Sequence, residues 1–190
     1  MPTTSAPFGF VPINEATGYG TRGETAYPGG ITSAYNTDIY KYQPVKLTTS
    51  GVLNPAPTSA DIIGIFAGVE YTDSDGKRRV SNRWLANTVA TDVVAYVWDD
   101  PTTIYEVQAD GALAQTAVGD QADVTNGSNQ QGTTGLSAAT LSSTLGGAGV
   151  QKMFRVIGLS NRVDNAWSDT YTIVRVQIAQ HQYVASKVAI

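Results

Sequence analysis

Reactive side chains other than carboxylates are scarce in this sequence. The 190 residues include no cysteine and a single histidine, His181. Without cysteine, disulfides, thiolate zinc sites and cysteine nucleophiles are excluded, and one histidine rules out a two-histidine metal site. A Ser-His-Asp arrangement would have to use His181, which stands between Gln180 and Gln182. We therefore predict that His181 is a hydrogen-bonded structural residue, neither a metal ligand nor a catalytic base.

Acidic residues lie close together at three places, and turns explain two of them. Asp73-Ser74-Asp75-Gly76 resembles the start of a calcium loop, but the distal ligands are missing and Lys77-Arg78-Arg79 follows, so we predict a hairpin turn. In Asp99-Asp100-Pro101 the two carboxylates would point to opposite faces of a strand, so a turn before the proline is favoured. A hard-cation site, without any specific spacing, stays open for three further acids: Asp110, Asp120 and Asp123.

The basic residues cluster once, in Lys77-Arg78-Arg79 with Arg83, beside Trp84. Such a run is typical of a solvated hairpin arm. As a contact it would fit an acidic protein surface better than DNA, because the whole chain has a net charge of -4. The glycines of residues 18–23 match G-x-G-x-x-G by letter, but no predicted strand precedes them. We predict that the chain is not an enzyme and takes no nucleic acid, cofactor, metal or small-molecule substrate.

The composition and the strand pattern predict a mainly β protein. Hydrophobic residues make up 42% and charged residues 15%, which excludes a globally disordered chain, and no apolar run approaches the length of a membrane helix. Gly64 and Gly68 predict a bulge or a close backbone approach within one strand. We expect a small antiparallel β-barrel or β-sandwich, with strands at residues 43–47, 61–72, 77–80, 92–98, 103–109, 118–124, 154–159 and 170–182.

Residues 1–36 differ from the rest of the chain. They are rich in proline and glycine and follow neither a helical nor a strand period, yet large apolar side chains are scattered among them. A purely solvated linker would not carry these groups. We therefore predict an extended N-terminal arm, residues 1–36, that becomes ordered on its own domain or on a neighbouring subunit, followed by a β-rich binding domain, residues 37–190.

Five stretches of the strand region have a familiar pattern: VKLTTSG, ADIIGIFAGVEYTDSDGKRRVSNRW, AYVWDDPTTIYEVQADG, FRVIGL and DNAWSDTYTIVRVQIAQHQ. Together, over residues 44 to 182, they resemble the head-decoration (cement) and minor capsid proteins of tailed double-stranded-DNA bacteriophages. The resemblance implies a small β-rich domain on the outside of the capsid, in the virion, made in the cytoplasm of the bacterial host. It also implies oligomers, with trimers favoured, placed where major capsid subunits meet, and neither enzymatic activity nor a cofactor.

The expected function is therefore that of a virion structural protein that binds the outer surface of the phage capsid. It would stabilise the shell by bridging neighbouring major capsid subunits, with the major capsid protein and its own copies as partners. Deletion of the arm is expected to leave a folded domain and to lower capsid occupancy. The candidate contact residues are Phe8, Phe10, Tyr19, Tyr27, Tyr35, Lys77, Arg78 and Arg79.

Three other functions stay open. The chain could be a different virion component, such as a head-tail or tail protein. It could be a carbohydrate-binding β-domain, with sugar rings stacked on its three tryptophans, Trp84, Trp98 and Trp167. A carboxylate-only hydrolase is the most distant option, because no pair of acids is placed well enough to be named.

Overall fold

The computed structural model describes residues 4–16, 18, 20 and 23–185, and its regular structure is almost entirely β-strand. Within these residues there is no α-helix, and one 3-10 turn covers Gln115–Ala117. The strands in chain order are β1 (Val11–Glu15), β2 (Thr25–Pro28), β3 (Ile39–Tyr40), β4 (Pro44–Leu47), β5 (Leu53–Pro55), β6 (Gly64–Thr72), β7 (Arg78–Ser81), β8 (Arg83–Trp84), β9 (Thr91–Trp98), β10 (Thr103–Gln108), β11 (Gln121–Ala122), β12 (Val124–Thr125), β13 (Thr140–Leu141), β14 (Phe154–Leu159) and β15 (Ile173–Ile178).

Two larger antiparallel sheets dominate the molecule. The five-stranded sheet has the order β1-β10-β15-β14-β11, and the six-stranded sheet has the order β2-β9-β6-β4-β5, with β7 beside β6. Two small sheets pair β3 with β8 and β12 with β13. The prediction of a mainly β fold is confirmed. Because neither large sheet closes on itself over the described residues, the architecture is sandwich-like and the barrel alternative is not found.

The core is divided into two clusters of buried apolar side chains, each built mainly on one large sheet, and Ile65 of β6 joins the cluster of the five-stranded sheet. The cluster of the five-stranded sheet includes Tyr105, Phe154 and Val176. The cluster of the six-stranded sheet includes Phe66 and Trp84. The chain passes from the second sheet to the first at the turn Asp99-Asp100-Pro101, between β9 and β10.

The first two strands, β1 and β2, lie at the edges of the two large sheets. β1 pairs with β10 at the edge of the five-stranded sheet, and β2 pairs with β9 at the edge of the six-stranded sheet. Because β9 and β10 are consecutive strands, β1 and β2 lie beside consecutive strands as well. In this structure the segment predicted as an arm therefore lies on its own domain.

Most of the longer predicted strands are present, with shorter bounds in several cases. The strand predicted at 61–72 is β6, which begins at Gly64, and the strand predicted at 170–182 is the shorter β15. Residues 118–124 do not form one strand but the separate strands β11 and β12. The bulge prediction is confirmed, since the pairing of β6 with β9 shifts register between Phe66 and Gly68.

Gly64, at the start of β6, lies against the backbone at the end of β9. A Cβ atom added at this position would lie 2.2 Å from the carbonyl oxygen of Trp98. Only glycine fits such a contact, so the predicted close backbone approach is also confirmed.

Candidate functional site

Two phenylalanines of the N-terminal segment contact the body of the protein in different ways. Phe10 is fully buried, and its ring stacks on Phe154 with the two centroids 4.3 Å apart. Phe8 is half-buried, and the guanidinium carbon of Arg162 lies 4.5 Å from its ring centroid. Phe10 is thus part of the protein's own core and is not accessible to a partner in this structure. Tyr19, the third aromatic candidate, lies outside the described residues.

Tyr27 and Tyr35, the remaining aromatic candidates, are both half-buried. The hydroxyl of Tyr27 donates a 2.7 Å hydrogen bond to Oδ2 of Asp99. Burial, that hydrogen bond and the carboxylate charge together raise the pKa of Tyr27 well above its usual range, so the phenol stays protonated. Tyr35 packs against the core of the six-stranded sheet, and its carbonyl oxygen accepts the N–H of Asn87.

The predicted basic cluster lies on an exposed hairpin, and its arginines are paired within the chain. Arg78 forms a 2.8 Å ion pair with Glu70, and Arg79 forms a 2.7 Å ion pair with Asp73. Asp73 also accepts the backbone N–H groups of Asp75 and Lys77, which confirms the hairpin turn. The Lys77 side chain is exposed. The charges of Arg78 and Arg79 are therefore largely balanced by acidic residues of the same chain.

The acidic residues considered for metal binding hold turns and loops together instead. Asp120 accepts the backbone N–H groups of Gln121 and Gly147, and Asp110 accepts that of Ser143. In the described part of the chain, no three His, Asp or Glu side chains are close enough to hold a metal ion.

Asp123 is the most buried of these acids. Its Oδ2 accepts the hydroxyl of Ser59 and forms a 2.7 Å ion pair with Nζ of Lys152, while Oδ1 accepts the N–H of Met153. Both oxygens of this carboxylate are hydrogen-bonded within the chain, so Asp123 links the loop at residue 59 to the residues just before β14.

Asp99 and Asp100 follow the turn prediction. The carboxylate of Asp99 accepts the hydroxyls of Thr25 and Tyr27, whereas that of Asp100 accepts the N–H and hydroxyl of Thr102. These hydrogen bonds take the two carboxylates to different partners. The turn reading is confirmed.

His181 is buried, and both of its ring nitrogens are hydrogen-bonded. Nδ1 accepts the backbone N–H of Tyr183 at 3.1 Å, which leaves the proton on Nε2 to be donated to the carbonyl oxygen of Asp99 at 2.9 Å. The prediction of a satisfied structural histidine is confirmed. Its neighbour Gln182 bonds both backbone groups of Leu47, so this short segment joins the end of β15 to the six-stranded sheet.

The three tryptophans do not form an exposed platform. Trp84 is fully buried. Trp98 and Trp167 are half-buried against the core of the five-stranded sheet, and Trp98 stacks on Tyr42 with centroids 5.6 Å apart. No face of stacked rings is presented to a sugar, which weakens the carbohydrate-binding alternative.

Two surfaces stand out that residue types alone did not indicate. The first is an apolar tip at one end of the six-stranded sheet, formed by Ala34, Tyr35, Leu85 and Val89. Backbone hydrogen bonds of 2.8 Å, from Ala34 to Thr88 and from Asn87 to Tyr35, hold its two loops together. Leu85 and Val89 are 48% and 62% exposed. In the sequence, the only indication of this surface is that isolated apolar residues stand in a short polar loop.

The second surface is a polar cleft of about 480 Å³ on the five-stranded sheet, which we call the arginine cleft. Its residues are Ile13, Asn14, Glu106, Asn161, Arg162 and Arg175, with Ser160 at the base. Glu106 and Arg175 are directly opposite each other on β10 and β15. In the sequence, this cleft is indicated only by single charged residues within otherwise apolar strands. That Glu106 and Arg175 are neighbours follows only from the strand register.

Comparison with known proteins gives no relative for this chain: no family model, no curated protein and no solved structure matches it. In the part of the chain that the structure describes, no helix is long and apolar enough to cross a membrane. The resemblance to phage decoration proteins therefore stays a prediction, and a function has to be argued from the surfaces above.

Proposed function

We propose that this protein is a virion structural protein of a tailed phage, which binds the outer surface of the capsid and bridges neighbouring major capsid subunits. The apolar tip carries the proposal. It places Leu85 and Val89 in water next to Tyr35, one of the contact residues expected from the sequence. Exposed apolar groups grouped on a rigid element are typical of a protein-binding surface.

The sandwich-like fold suits such a role. The tip is held by backbone hydrogen bonds between two loops, so its backbone needs little ordering when a partner covers it. Full burial of a leucine or valine side chain contributes about 1.5–3 kcal/mol, so several copies bound around one junction would add up to strong retention. In this proposal the protein acts as an oligomer, with a trimer favoured.

Binding to phage heads that lack the protein tests the proposal. The double variant Leu85→Ser/Val89→Ser makes the tip polar, while Val163→Ser changes a valine that is 90% exposed elsewhere on the surface. We expect the wild-type chain and Val163→Ser to co-sediment with heads at equal occupancy, and the double variant to bind at least about tenfold more weakly.

All three chains should melt at similar temperatures, because the changed side chains are exposed. A wild-type chain that never sediments with heads would refute the proposal. Equal binding by the double variant would show that the tip is not the contact.

A further inference from the structure

We propose that the arginine cleft binds a carboxylate side chain, Asp or Glu, on the surface of a protein partner. This deepens the proposed function and rests on it for the identity of that partner, the capsid surface. Three observations lead to the carboxylate: the unused hydrogen-bond donors of Arg175, the charge balance of the cleft, and the rigid walls around it.

Arg175 is fixed in place but not saturated. It is half-buried on β15, and its Nε donates a 3.0 Å hydrogen bond to the carbonyl oxygen of Leu159. Among the described residues, its two terminal Nη groups have no hydrogen-bond partner. A guanidinium held at Nε with both Nη groups free presents the planar fork that binds a carboxylate.

A glycine on the neighbouring strand lets the end of the Arg175 side chain lie close to the backbone of β14. Gly158 lies opposite Arg175 in the β14–β15 pairing, at the point where the register shifts. A Cβ atom there would lie 3.3 Å from Nη2 of Arg175, closer than an ordinary carbon contact. The glycine at this bulge therefore accommodates the guanidinium of Arg175 where it lies.

The single carboxylate of the cleft is already engaged by another residue. Glu106 accepts a 2.8 Å hydrogen bond from Nε of Arg162 and a second hydrogen bond from Nη2 of the same arginine. It also accepts a hydrogen bond from the hydroxyl of Ser160. Burial alone would raise the pKa of Glu106, but these donors outweigh it and lower the pKa. Glu106 is thus held by Arg162 and is also attracted by Arg175, its cross-strand neighbour. One carboxylate balances only one of the two guanidinium charges, so the cleft keeps a net positive charge.

The N-terminal segment forms the opposite wall of the cleft. Ile13 and Asn14 of β1 line it, and the ring of Phe8 lies against the guanidinium of Arg162. Stacking of this kind holds the guanidinium plane in one orientation. The segment predicted as an arm therefore contributes to binding by shaping a site on its own domain.

A protein carboxylate fits this cleft better than a nucleic acid phosphate. Binding to a phosphate backbone depends on many spaced cations, whereas the cleft holds two arginines, one of which is paired with Glu106. The arginines of the exposed hairpin are paired with Glu70 and Asp73 and do not extend the positive surface. One uncompensated arginine in a shaped cleft selects a single carboxylate.

Arginine side-chain NMR with a hexaglutamate peptide as the probe tests this directly on the full chain. We expect saturable shifts of the Nε–Hε signals of Arg175 and Arg162, and none at Arg79. Arg175→Gln should weaken peptide binding by about tenfold, and Arg79→Gln, which removes a charge from the hairpin, should not. Arg175→Lys keeps the charge without the fork and should fall between the two.

Several outcomes of this titration would overturn the proposal. They are equal shifts at Arg79, binding that is unchanged in a folded Arg175→Gln or Arg175→Lys variant, or tighter binding of a short oligonucleotide than of the peptide. Arg175→Lys is the conservative variant, in case Arg175→Gln does not fold. Thermal melting shows whether each of the two variants is folded.

Head binding separates this inference from the function on which it rests. If Arg175→Gln binds heads as well as Arg79→Gln and the wild type do, the cleft proposal is wrong and the proposed function stands. If the wild type fails to bind heads but takes up hexaglutamate at Arg175, the cleft stands and the proposed function is wrong.

Discussion

Glu106 is the residue at which electrostatics and packing are most closely balanced. Its pKa is raised by burial and lowered more strongly by Arg162 and Ser160, so the folded state favours the charged form. For a carboxylate with a lowered folded pKa, the stabilisation is fully present above the ordinary value of 4.5 and is lost as the pH falls through the folded pKa. The contribution of Glu106 thus begins to fall below about pH 4.5 and is gone once the pH is below the folded pKa.

We expect Glu106→Gln to lower the Tm by about 2–4 °C at neutral pH and to flatten the acid limb of the stability curve. The gap between the variant and the wild type should shrink as the pH falls below 4.5 and close once the pH is below the lowered pKa of wild-type Glu106. Thermal melts across this range measure it, with the exposed Glu24→Gln as the matched control. A gap that stays constant with pH would contradict this assignment.

How far a residue's role could be predicted depends on where its partners lie. The Asp73 turn and the Asp100 turn involve neighbours two to four residues away, and their sequence patterns were sufficient. The partners of Glu106 lie 54 and 56 residues further along the chain. Such a pair depends on strand register, which a single sequence does not specify.

Among the elements, β6 has no room for a side chain at Gly64, beside the backbone of β9. We expect Gly64→Ala to destabilise the protein by about 1–3 kcal/mol or more, because the added methyl group would clash with the Trp98 carbonyl oxygen. Gly23→Ala is the control, since nothing lies within 4 Å of a Cβ atom at that position. Denaturant unfolding of both variants gives the comparison, and similar midpoints would show that the two strands can separate without cost.

The segment before β1 is anchored by two phenylalanines of different strength. Phe10→Ala should cost about 3–5 kcal/mol, because it empties a fully buried site stacked on Phe154. Phe8→Ala removes a half-buried contact with Arg162 and should cost about 0.5–1 kcal/mol. Chemical denaturation ranks the two, and the reverse order would mean that this segment is not docked as described.

The predicted elements were those with long runs of strand-forming residues. Runs such as DVVAYVW and FRVIGL are dense in β-branched and aromatic side chains and form β9 and β14. β1 and β2 each contain a proline and lie at sheet edges, where pairing with β10 and β9 supplies the order. Their strand state comes from tertiary contacts and carries no periodic signal.

For the whole molecule, the sequence predicts that the domain stays folded without residues 1–36. In the structure, strands of this segment belong to both large sheets. Removal of residues 1–36 takes away two edge strands and the buried side chains of Phe10 and Ile31, one from each core cluster. We therefore now expect the truncated chain to melt more than about 10 °C lower than the full chain. Calorimetry compares the two, and an unchanged Tm would support the separable arm instead.

The apolar tip and the arginine cleft offer different kinds of contact on the same molecule. The apolar tip belongs to the six-stranded sheet and the arginine cleft to the five-stranded sheet, so one molecule offers an apolar and a polar contact. Two contacts on one rigid body give a bridging protein more retention than either alone, provided that both can be engaged together.

The central claim, attachment to the outside of a phage capsid, is tested most directly by cryo-microscopy of heads incubated with the full chain. We expect density for the sandwich-like domain over the whole shell, at junctions between major capsid subunits, with the apolar tip facing the shell. Density confined to a single vertex or to the tail, or heads that remain bare at saturating protein, would contradict the account.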